Sequence, residues 1–155
     1  EANFKYANLT GAYFRDTDLS RANFKNANLS GATLDFTNLS GASFKDANLT
    51  NIEVEKNAPL EGLDFRGANL TGARLLGANL QGADFTGAIF RNVDISGAQI
   101  RNANFTAVDL SQTKMQKVSF TDAILCETIM PWGIEDSGCT KIEKAAPLDM
   151  DIPGF

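Results

Sequence analysis

The feature that most constrains this chain is a period of five residues that runs through most of its length. A large apolar side chain stands at every fifth position, first from Phe4 to Val54 and then, after a shift of one residue, from Leu60 to Met130. The series has 26 members, and 17 of them have alanine two positions earlier. A period of five matches neither the 3.6-residue turn of a helix nor the two-residue alternation of a strand. Helical bundles, coiled coils and ordinary sheets are therefore excluded.

A coil with four flat sides and one pentapeptide on each side satisfies this pattern. Ten of the 13 glycines stand two positions after a large residue, where a corner favours a residue without Cβ. The 26 pentapeptides would make 6.5 turns, a rod on the order of 30 Å long at about 4.8 Å per turn. Phenylalanine supports four sides, because it recurs every 20 residues, or 21 across the shift, at Phe4, Phe24, Phe44, Phe65, Phe85 and Phe105. These rings are expected to stack as one internal ladder.

The motif of alanine, then asparagine or aspartate, then leucine or phenylalanine resembles that of the pentapeptide-repeat family across residues 1–130. The resemblance implies an all-β fold, a right-handed quadrilateral β-helix. The shift at residues 55–59 predicts a bulged corner or a short loop. Residues 131–155 lose the period and are expected to form a C-terminal capping tail, which is predicted to be partly helical between Thr140 and Ala146. Three apolar residues of this tail are expected to cover Leu125 and Met130 at the open end: Trp132, Ile134 and Ile142.

Residues suited to catalysis or metal binding are scarce. The chain has 0 histidines, which removes the commonest general base and the commonest metal ligand. Two cysteines cannot make a tetrahedral zinc site without histidine. The sequence therefore predicts no enzymatic activity, no catalytic, cofactor-binding or metal-binding residue, and no cofactor. Four aspartates that precede large residues are interpreted as hydrogen-bonding groups at the corners: Asp64, Asp84, Asp94 and Asp109.

The charge distribution limits the partners that this chain could bind. Residues 1–130 hold 12 basic and 14 acidic residues, a net charge of -2, and the remaining residues hold 2 and 5, a net charge of -3. A nucleic-acid-binding protein would carry a basic patch or a high isoelectric point, so no nucleic acid is expected. No apolar run is long enough for membrane insertion. The family also contains bacterial members that protect topoisomerase by mimicking DNA, but the nearly neutral body disfavours that role, which would need a strongly acidic surface.

The two cysteines lie near the end of the repeats. Cys126 points outward from the last turn and Cys139 follows 13 residues later, so they are expected to form a disulfide that pins the tail. Two free thiols, or a switchable redox pair, are the alternatives. A stable disulfide would indicate an oxidising compartment.

The Met-Pro-Trp-Gly segment and the cysteine that follows it also resemble the small pentapeptide-repeat proteins of thylakoid lumens. This second resemblance implies the chloroplast thylakoid lumen, with a cyanobacterial lumen or the periplasm as the alternative. Because Glu1 lies inside a repeat, the chain is expected to be a processed product that has lost any targeting segment.

Three apolar residues occupy outward positions of the third side: Tyr13, Phe36 and Leu76. Scattered exposed apolar residues need no explanation, but a contiguous patch would mark a binding surface. The sequence thus predicts a rigid, non-enzymatic rod that binds an unknown protein partner, with a monomer favoured over a dimer. The alternative is a DNA-mimicking protector or inhibitor of gyrase.

Overall fold

The computed structural model describes residues 1–56 and 58–139, and these form a coil with four flat sides. We number the sides 1 to 4 in chain order from Phe4, Leu9, Phe14 and Leu19, and each later large residue falls on the next side in turn. The main chain of a side pairs in parallel with the same side one turn away, as Asn3 does with Asn23. The predicted all-β, right-handed quadrilateral β-helix is therefore confirmed.

Each corner is a tight turn that follows the large residue. At the first corner the Ala7 N–H donates to the Phe4 carbonyl at 3.0 Å, and Tyr6 has a φ of 61°. A positive φ at the third residue of such a turn is the geometry of a type II turn, which favours glycine or asparagine. Ten corner residues with positive φ are glycine, and seven of the 13 others are asparagine or aspartate. The spacing of glycine in the sequence reflects this requirement.

The core is the interior of the coil, where the large residues stack turn upon turn. Ring centroids of Phe24 and Phe44 lie 4.9 Å apart, and those of Phe65 and Phe85 lie 5.0 Å apart. These side chains are buried, and burial of one such side chain contributes about 1.5–3 kcal/mol. The alanines beside them are also buried and leave room for the rings.

The one-residue shift lies in the corner between sides 3 and 4. The Ala58 N–H donates to the Glu55 carbonyl at 3.1 Å, so the corner still closes, and Asn57 lies outside the described residues. Stacking continues across the shift, with the rings of Phe44 and Phe65 5.4 Å apart. The extra residue is absorbed locally, and the order of the sides does not change.

Two strands at the C-terminal end form a hairpin: β1 is Thr128–Met130 and β2 is Gly133–Glu135. β1 belongs to side 2 of the last turn, where the Ile129 N–H donates to the Val108 carbonyl of the turn below at 2.9 Å. β2 pairs antiparallel with the other edge of β1. The backbone of β2 thus covers an edge that would otherwise leave its peptide groups unpaired.

The segment after β2 covers side 1 of the same turn. The Gly138 N–H donates to the Leu125 carbonyl at 2.8 Å, and Asp136 accepts the Glu127 N–H at 2.9 Å. The predicted disulfide between Cys126 and Cys139 is present, with their Cα atoms 4.6 Å apart. Sides 3 and 4 end one turn earlier than sides 1 and 2.

The prediction that Trp132 and Ile134 cover the open end is wrong, because these side chains are 66% and 70% exposed. Leu125 and Met130 are nevertheless buried, and the returning segment pairs with the edge of the turn that holds them. The predicted helix from Thr140 to Ala146, and Ile142 within it, lie outside the described residues. The division into a coil of residues 1–130 and a capping tail of residues 131–155 stays a prediction.

Candidate functional site

The corner between sides 3 and 4 differs from the other corners in its side chains and in its shape. We call it the side-3 corner, and it comprises two residues in each turn: 15–16, 35–36, 55–56, 76–77, 96–97 and 116–117. It contains the one-residue shift and two of the three residues that the sequence proposed as a partner surface. Tyr13 lies beside it on the flat part of side 3.

Tyr13 and Phe36 belong to one exposed patch on the first two turns. Their side chains are 67% and 59% exposed. Arg15 lies between them, with its guanidinium carbon 5.2 Å from the centroid of the Phe36 ring, and the proximity of Tyr13 raises the pKa of Arg15. We call Tyr13, Arg15 and Phe36 the aromatic patch. It joins residues 23 positions apart in the sequence.

Phe36 occupies a backbone conformation that its side chain disfavours. Its φ is 55°, in the left-handed region, which costs about 1–2 kcal/mol for a residue that carries a Cβ. Glycine, asparagine or aspartate occupies most other corners of this kind. The strain therefore accompanies an aromatic ring that is exposed and contributes little to the core.

Leu76 is half-buried and lies in a separate groove farther along the same corner. The groove has a volume of about 710 Å³ and runs from the third turn to the sixth. Gly77 and Gly97 line it without side chains, while Lys56 and Lys117 stand at its two ends. The structure therefore brings Tyr13 and Phe36 together but places Leu76 apart from them.

Ionic and hydrogen-bond partners account for the acidic residues of this groove. Glu53 lies 3.7 Å from the guanidinium of Arg74, and Oε1 of Glu55 accepts the Phe36 N–H at 2.9 Å. The other carboxylate oxygen of Glu55 is buried and has no hydrogen-bond partner among the described residues. Lys56 and Lys117 form no ion pair within residues 1–56 and 58–139. Sequence reasoning missed this groove, although the shift and the outward Leu76 were both visible.

The repeated aspartates serve the corners, as the sequence predicted. Asp109 accepts the Ser111 N–H at 2.9 Å, and hydrogen bonds from Ser111 lower the pKa of Asp109. Asp64 binds Arg66 at 2.8 Å, and this hydrogen bond is the main reason that the pKa of Asp64 is lowered. These contacts stabilise charged carboxylates, which is the opposite of what a general acid requires.

The described part of the chain has no group of three or more side chains that could hold a metal ion. Within the same residues, no helix has the length and apolar character needed to cross a bilayer.

Comparison with known proteins supports the architecture. The sequence model of the family described as pentapeptide repeats matches 8 copies, over residues 1–35, 27–51, 56–87, 68–106 and 103–132. No curated protein sequence matches the chain.

Solved structures with this architecture include HetL from the cyanobacterium Nostoc, a pentapeptide repeat protein involved in the regulation of heterocyst differentiation. It is 29% identical, with a TM-score of 0.56, and the match covers 85% of this chain and 65% of HetL. This chain thus spans slightly less than two thirds of the length of HetL.

Two further structures match with lower TM-scores. A pentapeptide repeat protein from the thylakoid lumen of Arabidopsis thaliana is 30% identical, and the match covers 69% of this chain and 67% of that one, with a TM-score of 0.31. QnrB1, a plasmid-mediated fluoroquinolone resistance protein, is 24% identical over 88% of this chain and 75% of its own, with a TM-score of 0.44.

Proposed function

The protein belongs to the pentapeptide-repeat family, and on that premise we propose that it is a non-enzymatic rod whose side-3 corner binds a protein partner. The coil supplies the rigidity, because main-chain hydrogen bonds join successive turns along most of its length. A rigid surface loses little conformational entropy when it binds. The function is therefore to hold a set of surface side chains in a fixed arrangement.

The observation that carries this proposal is the aromatic patch. Tyr13 and Phe36 keep exposed rings on either side of Arg15, and a contiguous exposed apolar patch marks an interaction site. Tyrosine and arginine, which supply the rest of the patch, are enriched among the residues that dominate binding energy at interfaces. Tyr13, Arg15 and Phe36 would form the centre of the contact, and Leu76 would lie toward its edge.

Capture of the partner by the purified protein tests this role. Phe36→Asn removes the ring and introduces a residue that corners of this kind accept, so the fold should persist. We expect the partner to be retained at least about tenfold less well, because loss of an interface anchor costs about 2 kcal/mol or more.

The matched control is Tyr6→Asn, since Tyr6 is also exposed, at 71%, and has a φ of 61° at a different corner. This control should bind like the unmodified protein. Equal loss for the two variants, or no loss for Phe36→Asn, would contradict the proposal.

We further propose that the protein works in an oxidising compartment, specifically the chloroplast thylakoid lumen, with a cyanobacterial lumen or the periplasm as the alternative. The support is the disulfide between Cys126 and Cys139, because structural disulfides persist in oxidising compartments, together with the likeness of the tail to luminal members of the family. Fractionation of thylakoids should place the protein inside, protected from added protease, with both cysteines unreactive before reduction. A protease-sensitive protein in the stromal fraction would contradict this location.

No observation favours the alternative role in gyrase protection. That role would require a surface resembling duplex phosphate, whereas residues 1–130 carry a net charge of only -2, from 12 basic and 14 acidic residues. We expect no stoichiometric inhibition in a supercoiling assay.

A further inference from the structure

The groove on the side-3 corner has the dimensions of a short extended peptide. It reaches from Lys56 in the third turn to Lys117 in the sixth, a rise of about 14 Å over three turns of about 4.8 Å each. An extended chain advances about 3.3 Å per residue. In a bound extended peptide, the two side chains that contact the two ends of the groove would therefore be about four residues apart.

The floor of the groove is open to the close approach of a backbone at Gly97. A Cβ placed on Gly97 would meet only the Cα of Gly77, at 3.9 Å. A Cβ placed on Gly77 would lie 3.1 Å from Cγ of Lys56, so the stem of this lysine lies against the floor. The groove is therefore open at Gly97, with the Lys56 stem over Gly77 on one side and Lys117 at the other end.

Among the described residues, the exposed charges of the groove that have no partner are both positive, since the unpaired carboxylate oxygen of Glu55 is buried. Glu53 faces Arg74 and Glu55 accepts a backbone N–H, whereas Lys56 and Lys117 have no carboxylate within 4.0 Å in the part of the chain that the structure describes. Gln99, which also lines the groove, accepts a hydrogen bond at its Oε1 from Gln81 at 2.9 Å. Its NH₂ group is therefore available to donate.

We propose that this groove binds an extended segment of a partner protein that carries two acidic side chains about four residues apart. One carboxylate contacts Lys56, the other contacts Lys117, and the backbone between them lies over Gly97, beside the Lys56 stem. The proposal rests on the proposed role in protein binding and names the chemistry of the segment that is bound. Arg15 and Phe36, on the first two turns, would contact the partner outside this segment.

The probe is a fluorescein-labelled peptide, Asp-Thr-Val-Thr-Asp, with Asn-Thr-Val-Thr-Asn as its uncharged match. Anisotropy should rise with the acidic peptide and saturate at about millimolar concentration or below, and the amide peptide should bind about tenfold more weakly, since each exposed charge contact contributes up to about 1 kcal/mol. Added salt should weaken the binding of the acidic peptide only, because salt screens contacts between charges. Equal binding of the two peptides, or no binding of either, would overturn the proposal.

Two pairs of variants locate the binding. Gly97→Asp places a carboxylate on the floor at a corner with φ of 71°, and Gly87→Asp places one at a different corner with φ of 66°. Aspartate already occupies such corners at Asp46 and Asp122, so both variants should fold. Gly97→Asp should abolish binding of the acidic peptide, and Gly87→Asp should leave it within about twofold.

The lysines are tested in the same way. The double variant Lys56→Gln with Lys117→Gln should bind the acidic peptide about tenfold more weakly, as weakly as the unmodified protein binds the amide peptide. The control is Lys25→Gln with Lys45→Gln, which makes the same change in net charge beside the phenylalanine ladder and should have no effect. An equal loss in the control would show that the peptide responds only to overall charge, which overturns the proposal.

Other occupants of the groove give distinct results. Binding that appears only after deletion of residues 140–155 would assign the groove to the acidic tail of this chain, and a dimer that Gly97→Asp dissociates would assign it to a second copy. Either result overturns the proposal of a partner segment. Failure of the peptide test, together with loss of the partner in Phe36→Asn, would reject this inference and leave the proposed function in place.

Discussion

The middle turns of the coil and its C-terminal end are stabilised in different ways. In the middle, every turn repeats the same contacts, such as the stacked rings of Phe65 and Phe85, 5.0 Å apart. At the end, each contact occurs once: the β1–β2 pairing, the Gly138 hydrogen bond and the Cys126–Cys139 disulfide. Repetition lets a middle turn share its stabilisation with two neighbours, whereas the last turn has a neighbour on one face only.

This difference predicts that the coil opens first at its C-terminal end. In a stacked repeat, stability is approximately a sum of the terms for each turn and for the contacts between turns. A change in the middle removes contacts with both neighbouring turns, whereas a change at the end should release only the last turn. The following four predictions test this comparison, in order of decreasing effect.

Phe65→Ala should have the largest effect, because Phe65 is 3% exposed and stacks on Phe44 and Phe85. Removal of a buried phenylalanine costs about 3–5 kcal/mol, which denaturant melts would measure. Lys25→Ala, on the surface beside the same ladder, should change the free energy of unfolding by less than about 0.5 kcal/mol. Comparable losses for the two variants would contradict the stacked core.

Removal of the disulfide by Cys126→Ser with Cys139→Ser should have the next largest effect. Closing a loop of this size contributes about 3 kcal/mol in the chain-entropy account, and the loss should fall on the last turn. Hydrogen exchange should accelerate at the Glu127 and Gly138 amides and stay slow in the middle turns. Uniform acceleration along the rod would show that the end and the middle open together.

Gly138→Ala should weaken the end by less than loss of the disulfide. A Cβ at this position would clash with the Leu125 nitrogen and lie 3.0 Å from the Ile124 Cα, and backbone atoms cannot easily move aside. Overpacking of this kind costs about 1–3 kcal/mol. Ser137→Ala, next to it on the surface, is the control, and equal melting of the two variants would count against the close approach.

Acid should have the smallest effect, and Asp64 tests it in the middle of the coil. Hydrogen bonds lower the pKa of Asp64 and Asp109 in the folded protein, whereas unfolded aspartate titrates near about 3.9. The stabilisation is therefore fully present above that value and is lost as the pH falls through it toward the folded pKa. The melting temperature should stay constant between pH 7 and 5 and fall below about pH 4. This fall should be less steep in Asp64→Asn than in the unmodified protein. An equal fall in the two proteins would contradict the role given to Asp64.

Most of the fold could be predicted because one short-range rule repeats. The positions of the large residues, the alanines and the corner glycines follow from a period of five, and the 20-residue recurrence of Phe4, Phe24 and Phe44 indicates four sides. The cysteine pair followed from the absence of other thiols. These inferences need only the spacing of residues in the sequence, because in a regular coil that spacing determines which residues lie next to each other.

The candidate site was only partly predictable, because it depends on how separate turns meet. Lys56 and Lys117 are 61 positions apart, three turns of 20 residues plus the inserted one, and only the stacked coil places them at two ends of one groove. Leu76 was identified as outward-facing, but its separation from Tyr13 and Phe36 depends on which turns the three residues occupy. The link through Arg15 likewise depends on its side-chain conformation.

The sequence by itself determined the coil, its core and its corners, because each pentapeptide makes the same local choice of backbone and of buried side chain. Only the tertiary structure decided how the C-terminal end is covered. Trp132 and Ile134 were expected to cover Leu125 and Met130 because they are apolar, yet both are exposed. The backbone of Gly133–Glu135 and Gly138 instead pairs with the edge of the last turn. The last turn presents unpaired peptide groups as well as apolar side chains, and its peptide groups need hydrogen-bond partners that apolar side chains cannot supply.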